Sequence, residues 1–199
     1  MAARRVWQLA EAVEPSAELL EFLQGNRLIA EMLTRRGIES SEQAAPFLYP
    51  DQYPVTPPEE LPDLVIARDR VVEAIHNQER IGIWGDFDVD GQTSTSLLVG
   101  ALTALGSPPA FYIPHRKQDG HGIKLEALER FLDEHPLDLL ITCDTGIQAH
   151  TSVDYAISRG VEVIVTDHHN LIETLPNALA CVNPERVPHD HPLHNMVGV

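Results

Sequence analysis

An α/β fold, a parallel sheet flanked by helices with a short N-terminal helical lead-in, is predicted by three features of the sequence. Short runs that are apolar throughout recur between residues 80 and 183. Helical patterns of about 10 to 14 residues separate them, as in βαβ units. Strands with no polar face belong in a sheet buried on both sides, which is where parallel sheets are found.

The elements follow in order. Residues 16–36, SAELLEFLQGNRLIAEMLTRR, carry helix-spaced apolar positions, and GIESSEQAAPFL reads as a turn with Ser40 or Ser41 capping a short helix. The stretch YPDQYPVTPPEELPD then holds five of the 15 prolines and reads as an extended connector without regular structure. The boundaries expected are a lead-in and connector over 1–60 and the α/β domain over 61–199.

Within that domain the alternation is helix DLVIARDRVVEAIHNQ, strand RIGIW, helix TSTSLLVGALTALG, strand AFYIP and helix KLEALERFLDEH. Strand LDLLITCD, helix AHTSVDYAISRG, strand VEVIVTD and the run ALACVN complete it. Neither repeats nor low-complexity segments interrupt the pattern.

Bulk properties set limits. A chain of 199 residues with 43% hydrophobic content can bury one sizeable core. No apolar run approaches the roughly 18 residues that cross a bilayer, and Gln8, Glu11 and Glu14 interrupt what a signal peptide needs, so a cytoplasmic protein without membrane contact is expected. Cys143 and Cys181 sit inside apolar runs and read as reduced, packed strand residues. A formal net charge of −16 argues against broad nonspecific binding to a nucleic acid backbone, unless bound metal or a neighbouring domain offsets it.

Three of the strands end in residues that ligate metals: IGIWGDFDVDG, LLITCDTG and VIVTDHHN. Ligands of open parallel sheets bind beyond the carboxyl ends of the strands, so distant stretches converge on one edge. If residues 86–90 continue extended, their period of two points Asp86, Asp88 and Asp90 the same way, with Gly85 and Gly91 letting the backbone turn close to a ligand. Such crowding of like charge calls for cations. Each piece has a plainer reading: Asp90 or Thr93 as a helix cap, Asp144 as a turn residue, His168 and His169 as solvated loop residues. Histidine is not special everywhere here, as the ten histidines and the run HDHPLH show. The three groups falling at equivalent strand ends favours one site. Carboxylates with imidazole suit Mn²⁺ and tolerate Mg²⁺.

The stretches GDFDVDGQTST, ITCDTGI and VTDHHN closely resemble the first three motifs of the DHH phosphoesterase superfamily, Asp167, His168 and His169 being the name-giving triplet. With YIPHRKQDGHGI, LPNALACVNPER and the lead-in NRLIAEMLTRRGIESSEQAAPFLYP, the chain resembles the RecJ-type family of single-strand-specific 5′ to 3′ DNA exonucleases from about Asn26 onward. That resemblance implies two divalent cations, Mn²⁺ or Mg²⁺, hydrolysing a phosphodiester in DNA repair and recombination. It implies Asp88, Asp90, Asp144 and His168 as metal ligands, Asp144 bridging, and His169 facing the scissile phosphate. Asp86 and Asp167 fall to a supporting shell. Arg116, Lys117 and His121 in HRKQDGHG are candidate phosphate contacts, with a solvated loop as the alternative. Single-stranded DNA is the implied partner, with single-strand-binding protein a further candidate.

Thr145 and Val89 depart from the family's usual Asn or Cys and Ala without changing a ligand type. The family's last metal-binding aspartate lies beyond NMVGV, so the chain reads as an N-terminal portion expected to bind metal weakly and degrade DNA poorly. Three rivals stand: a DHH phosphodiesterase for short oligonucleotides, cyclic dinucleotides or pyrophosphate; a haloacid-dehalogenase-type phosphatase, imitated by FDVDGQT with Asp88 as nucleophile; and a non-catalytic replication scaffold. The phosphatase needs a downstream lysine, of which the sequence has only Lys117 and Lys124, and leaves TDHH unexplained. The scaffold has no need for mutually repelling carboxylates.

Overall fold

The computed structural model describes residues 11–194 and 196; the start of the chain and most of the NMVGV segment lie outside the described residues. Two compact units divide the chain, Met1–Val55 and Thr56–Val199. In the first, helices α1 (Ala17–Phe22), α2 (Arg27–Thr34) and α3 (Ser41–Leu48) bury Leu19, Ala30, Leu33 and Ala44 against one another. The helical pattern over 16–36 is therefore two helices, not one. Gln24 and Gly25 adopt positive φ (54° and 80°), a conformation that ends a helix, and the Asn26 side chain then accepts from the Ile29 N–H to start the next. Ser40 caps α3 by accepting from the Gln43 N–H. The proline-rich stretch is not wholly irregular either. It holds two 3₁₀ turns, Pro50–Gln52 and Pro58–Glu60, each opened by a proline whose fixed φ suits a first turn.

The second unit is a five-stranded parallel sheet in the order β2-β1-β3-β4-β5, formed by Ile81–Trp84 (β1), Ala110–Tyr112 (β2), Leu139–Cys143 (β3), Glu162–Thr166 (β4) and Ala180–Val182 (β5). Helices α4 (Leu64–His76), α5 (Val89–Ala104), α6 (Leu125–Glu134) and α7 (His150–Ser158) connect and flank them. Period-two alternation splits the strand residues between two layers. Ile81, Ile83, Leu139, Ile141, Cys143 and Ile164 pack with Ala67 and Ala74 of α4 and Leu102 of α5. Trp84, Leu140, Val163 and Val165 pack on the other face with Leu128 and Phe131 of α6 and Val153 of α7. Both cysteines are free and buried. No helix among the described residues is long and apolar enough to cross a membrane.

This order places the functional edge. From β1 the chain passes outward to β2, then returns to lay β3 on the other side of β1, with Ile83 opposite Ile141. The strand order reverses there, so the loops leaving β1 and β3 diverge and leave a crevice at the carboxyl end of the sheet.

Candidate metal centre

The loop after β1 is shorter than an extended DFDVD would make it. Helix α5 starts at Val89, and Asp88 caps it by accepting from the Gly91 N–H at 3.1 Å. That corrects both the extended reading of residues 86–90 and the choice of Asp90 or Thr93 as cap. Helical backbone breaks the period of two, and the carboxylates separate: Asp86 and Asp88 converge with Asp144, whereas Asp90, in the first turn of α5, joins neither group of potential metal ligands among the described residues. The two glycines serve close chain packing. A Cβ on Gly91 would lie 2.4 Å from the Asp86 nitrogen, and one on Gly85 would lie 2.1 Å from Thr95 Oγ1, so both let α5 close down on the end of β1.

Asp144 follows β3 in the left-handed conformation, φ 59°, which costs an ordinary residue about 1–2 kcal/mol and is eased for Asp. Its N–H donates to the Thr166 carbonyl at 3.0 Å, tying the turn to the end of β4. The residue is only 2% exposed, yet neither carboxylate oxygen has a hydrogen-bond donor. His168 Nε2 lies 2.9 Å from Oδ1, but not in line for a hydrogen bond. Burial, and next the neighbouring carboxylate of Asp88, push the Asp144 carboxyl up to about 6, against the opposing pull of His168 and His169. Burial likewise raises Asp86.

Asp167 contrasts with Asp144 because its oxygens are fully engaged. Oδ1 accepts from the N–H groups of His168 (2.8 Å) and His169 (3.1 Å) and from His169 Nδ1 (2.7 Å), and Oδ2 accepts from the Ile147 N–H at 2.9 Å. With Nδ1 committed, His169 has Nε2 as its free ring nitrogen. Desolvation works against a charged His169, but Asp167, Asp144 and Asp86 outweigh it and raise its pKa. Two residues missed by sequence reasoning support this loop. Asn183, fully buried at the end of β5, donates from Nδ2 to the His169 carbonyl at 3.0 Å. Gln148 Nε2 donates to the Asn170 carbonyl at 3.1 Å. A buried Asn inside the run ALACVN carries no local signal; its partners are known only once β5 lies beside β4.

Two groups of potential ligands result, Asp86–Asp88–Asp144 and Asp144–His168–His169, with ligand atoms within 4.8 Å of one another in each. Asp144 belongs to both. A cleft of ≈ 500 Å³ opens beside them, lined by Asp86, Asp88, His121, Lys124, Asp167 and His169 among others, with Asp144 and His168 set back from its lining. Arg116 lies instead in an adjoining hollow of ≈ 680 Å³, across Phe87 and Asp88, with its guanidinium 5.1 Å from the Phe87 ring centroid. Lys117 lines neither hollow, whereas Lys124, which sequence reading did not place among the phosphate contacts, lines the cleft.

The model of the DHH family, N-terminal domain, matches residues 80–193. The single-stranded-DNA-specific exonuclease RecJ of Bacillus subtilis (strain 168) is 35% identical across the whole chain, which spans 25% of that protein. The RecJ exonuclease of Escherichia coli (strain K12) is 39% identical over 66% of the chain, matching 23% of its own length. The chain thus spans about a quarter of the curated relatives it matches. Among solved structures, exonuclease RecJ bound to manganese aligns at TM-score 0.61 with 38% identity over 68% of this chain and 34% of its own. RecJ of Thermus thermophilus in complex with Mn²⁺ aligns at TM-score 0.65 with 32% identity over 86% of this chain and 23% of its own.

Proposed function

This chain belongs to the DHH family, and on that premise we propose that its strand-end cluster is a two-cation phosphoesterase centre working as, or within, a 5′ to 3′ exonuclease for single-stranded DNA. The observation that carries the reading is Asp144: a buried carboxylate without a hydrogen-bond donor, shared by both ligand groups. An unpartnered buried carboxylate is costly unless a cation meets it. The donor set of oxygens and imidazole suits Mn²⁺, and Mg²⁺ to a lesser degree.

When bound, a cation pair supplies charge neutralisation and Lewis-acid activation of water at a phosphodiester. The chain does the rest. Asp86 and Asp88 would hold one ion and His168 the other, with Asp144 between them; Asp90 is left to the first turn of α5. Asp167 fixes the His169 ring through Nδ1, leaving Nε2 to bind the phosphate or carry its proton. His121 and Lys124 line the cleft where a phosphate would lie, and Arg116 beside Phe87 offers a cationic and aromatic surface to the adjoining nucleotide. Family membership also accounts for TDHH, which a dehalogenase-type loop leaves unexplained.

Calorimetric titration of Mn²⁺ into the chain, Asp144→Asn and His168→Ala tests the centre. Binding that disappears in both variants is the expected result, and binding indifferent to both would overturn it. Mn²⁺-dependent degradation of a single-stranded oligonucleotide in preference to a cyclic dinucleotide then separates the exonuclease reading from its nearest rival.

A further inference from the structure

Arg116, His121 and Lys124 all stand on the segment that joins β2 to α6, and a carboxylate, Asp119, stands among them. Its sign is wrong for that company, because a carboxylate facing the same path repels a phosphate. Its surroundings resolve the conflict. The Asp119 side chain is only 12% exposed, and it belongs to neither group of potential metal ligands. Oδ2 accepts from the His115 N–H at 2.8 Å and from the Tyr112 hydroxyl at 3.1 Å, while Oδ1 faces Arg130 of α6 at 3.6 Å. The Asp119 N–H in turn donates to the His115 carbonyl at 2.8 Å, which also accepts from the Gln118 N–H at 2.9 Å.

These contacts differ in weight. Arg130 is 61% exposed and beyond hydrogen-bonding distance, so that ion pair contributes little. The two bonds to Oδ2 are made to a charged acceptor in a largely buried place and are the strong ones. They close residues 115–119 into a ring that carries Arg116. Tyr112 fixes the ring to the sheet, because its own aromatic ring stacks on buried Trp84 at 4.4 Å between centroids and packs on Phe131 at 5.8 Å. Beyond the ring, Gly120 and Gly122 take positive φ (74° and 80°) and lend the backbone around His121 little stiffness of their own. The next anchor is buried Ser152 of α7, whose Oγ donates to the Ile123 carbonyl at 2.7 Å. Arg116 therefore takes its direction from Asp119, and His121 hangs between Asp119 and Ser152.

We propose that Asp119 is a positioning residue for the grip on a single strand: touching neither nucleic acid nor metal, it holds the segment that presents Arg116 beside Phe87. This role rests on the proposed exonuclease activity and assigns to it a group outside the metal centre. An acidic side chain thus promotes the binding of a polyanion, and it does so through Arg116. Pre-organising a cationic side chain lowers the cost of ordering it when a phosphate or base arrives.

The test uses the full chain and a short fluorescein-labelled phosphorothioate oligothymidylate, with binding read by anisotropy, Mn²⁺ uptake by calorimetry and loop order by amide exchange. Asp119→Ala should bind the oligonucleotide about tenfold more weakly, with Mn²⁺ uptake unchanged and exchange accelerated at residues 115–119. In an Arg116→Ala background the same change should have little further effect, a non-additivity that general loss of stability does not produce. Tyr112→Phe keeps the aromatic stack and removes one donor to Asp119, so it should weaken binding less, again only while Arg116 is present. It carries the test if circular dichroism shows Asp119→Ala unfolded. Variants that grip the oligonucleotide as tightly as the unaltered chain, or penalties that simply add to that of Arg116→Ala, would overturn the positioning role alone. An unaltered chain that takes up Mn²⁺ yet holds no oligonucleotide would overturn the nucleic-acid reading, and the role of Asp119 with it.

Discussion

Asp144 Oδ1 and His168 Nε2 stand 2.9 Å apart with no hydrogen bond between them. Two ligand atoms from the ends of β3 and β4 thus meet as ligands of one ion would. Folding raises the Asp144 carboxyl from 3.8 to about 6. The folded state binds that proton more tightly than the unfolded state, so its relative stability is greatest below the unfolded value and declines as pH rises through the folded one. Asp144→Asn removes the charge and keeps a side chain tolerant of positive φ. In chelator, the variant should match the unaltered chain at about pH 3.5 and exceed it by about 1–3 kcal/mol near pH 7. Thermal unfolding across that range checks it; parallel curves would refute the burial argument.

Asp138 runs the opposite way. Its carboxylate accepts from Arg80 Nε (2.9 Å), a terminal guanidinium nitrogen (2.7 Å) and the Arg80 N–H (2.9 Å), which hold its pKa down at about 2. A depressed carboxylate stabilises above its unfolded value, 3.8, and loses that contribution as pH falls through about 2. Both side chains are more than a third exposed, at 58% and 38%, so solvent and salt screen the pair. Asp138→Asn should cost no more than about 1 kcal/mol near neutral pH. The difference should shrink in about 0.5 M salt, and denaturant unfolding with and without salt measures it.

Gly91 and Gly100 lie on the same helix and should respond to alanine with opposite signs. A Cβ at Gly91 meets Asp86 backbone atoms at 2.4–2.6 Å, which no side-chain rotation relieves. At Gly100 it meets nothing within 4 Å. Gly100→Ala should therefore stabilise by about 0.5–1 kcal/mol through helix propensity. Gly91→Ala should cost about 3 kcal/mol or more and, by displacing Asp86, should also weaken Mn²⁺ binding. Unfolding midpoints and the Mn²⁺ titration decide both points.

That contrast shows where sequence reading reached and where it stopped. The layered fold was legible because its strands are apolar on both faces, and the convergence of Asp86, Asp144, Asp167, His168 and His169 followed from strand ends in a parallel sheet. The interior of DFDVDG was not. Alternating aspartates suit an extended segment as well as a capped helix, and what selects the helix is the fit of Gly91 against Asp86, a contact visible only when α5 packs on β1. The split of residues 16–36 turned on positive φ at Gln24 and Gly25, which an unbroken apolar period conceals. Asn183 gave no signal, because its value lies in joining β5 to the loop after β4.

Asp167 is the residue whose conservative replacement separates positioning from ligation. Its four accepted hydrogen bonds come from His168, His169 and Ile147, and it belongs to neither ligand group. In Asp167→Asn one oxygen becomes an amide donor and must oppose a donor, Ile147 N–H or His169 Nδ1–H, which costs about 1–3 kcal/mol. The lost negative charge also removes the hydrogen-bonding and Coulombic support that Asp167 gives a protonated His169, so the His169 pKa should fall. A raised imidazole contributes stability below its unfolded value and loses it as pH rises through the folded one, so the variant's deficit should be larger at acid pH than at neutral pH. Ring-proton NMR titration of His169 gives the direct reading. A fall in its pKa with Mn²⁺ uptake still measurable identifies Asp167 as the group that orients and charges His169, whereas an unchanged pKa would mean that the carboxylate serves only to close the loop.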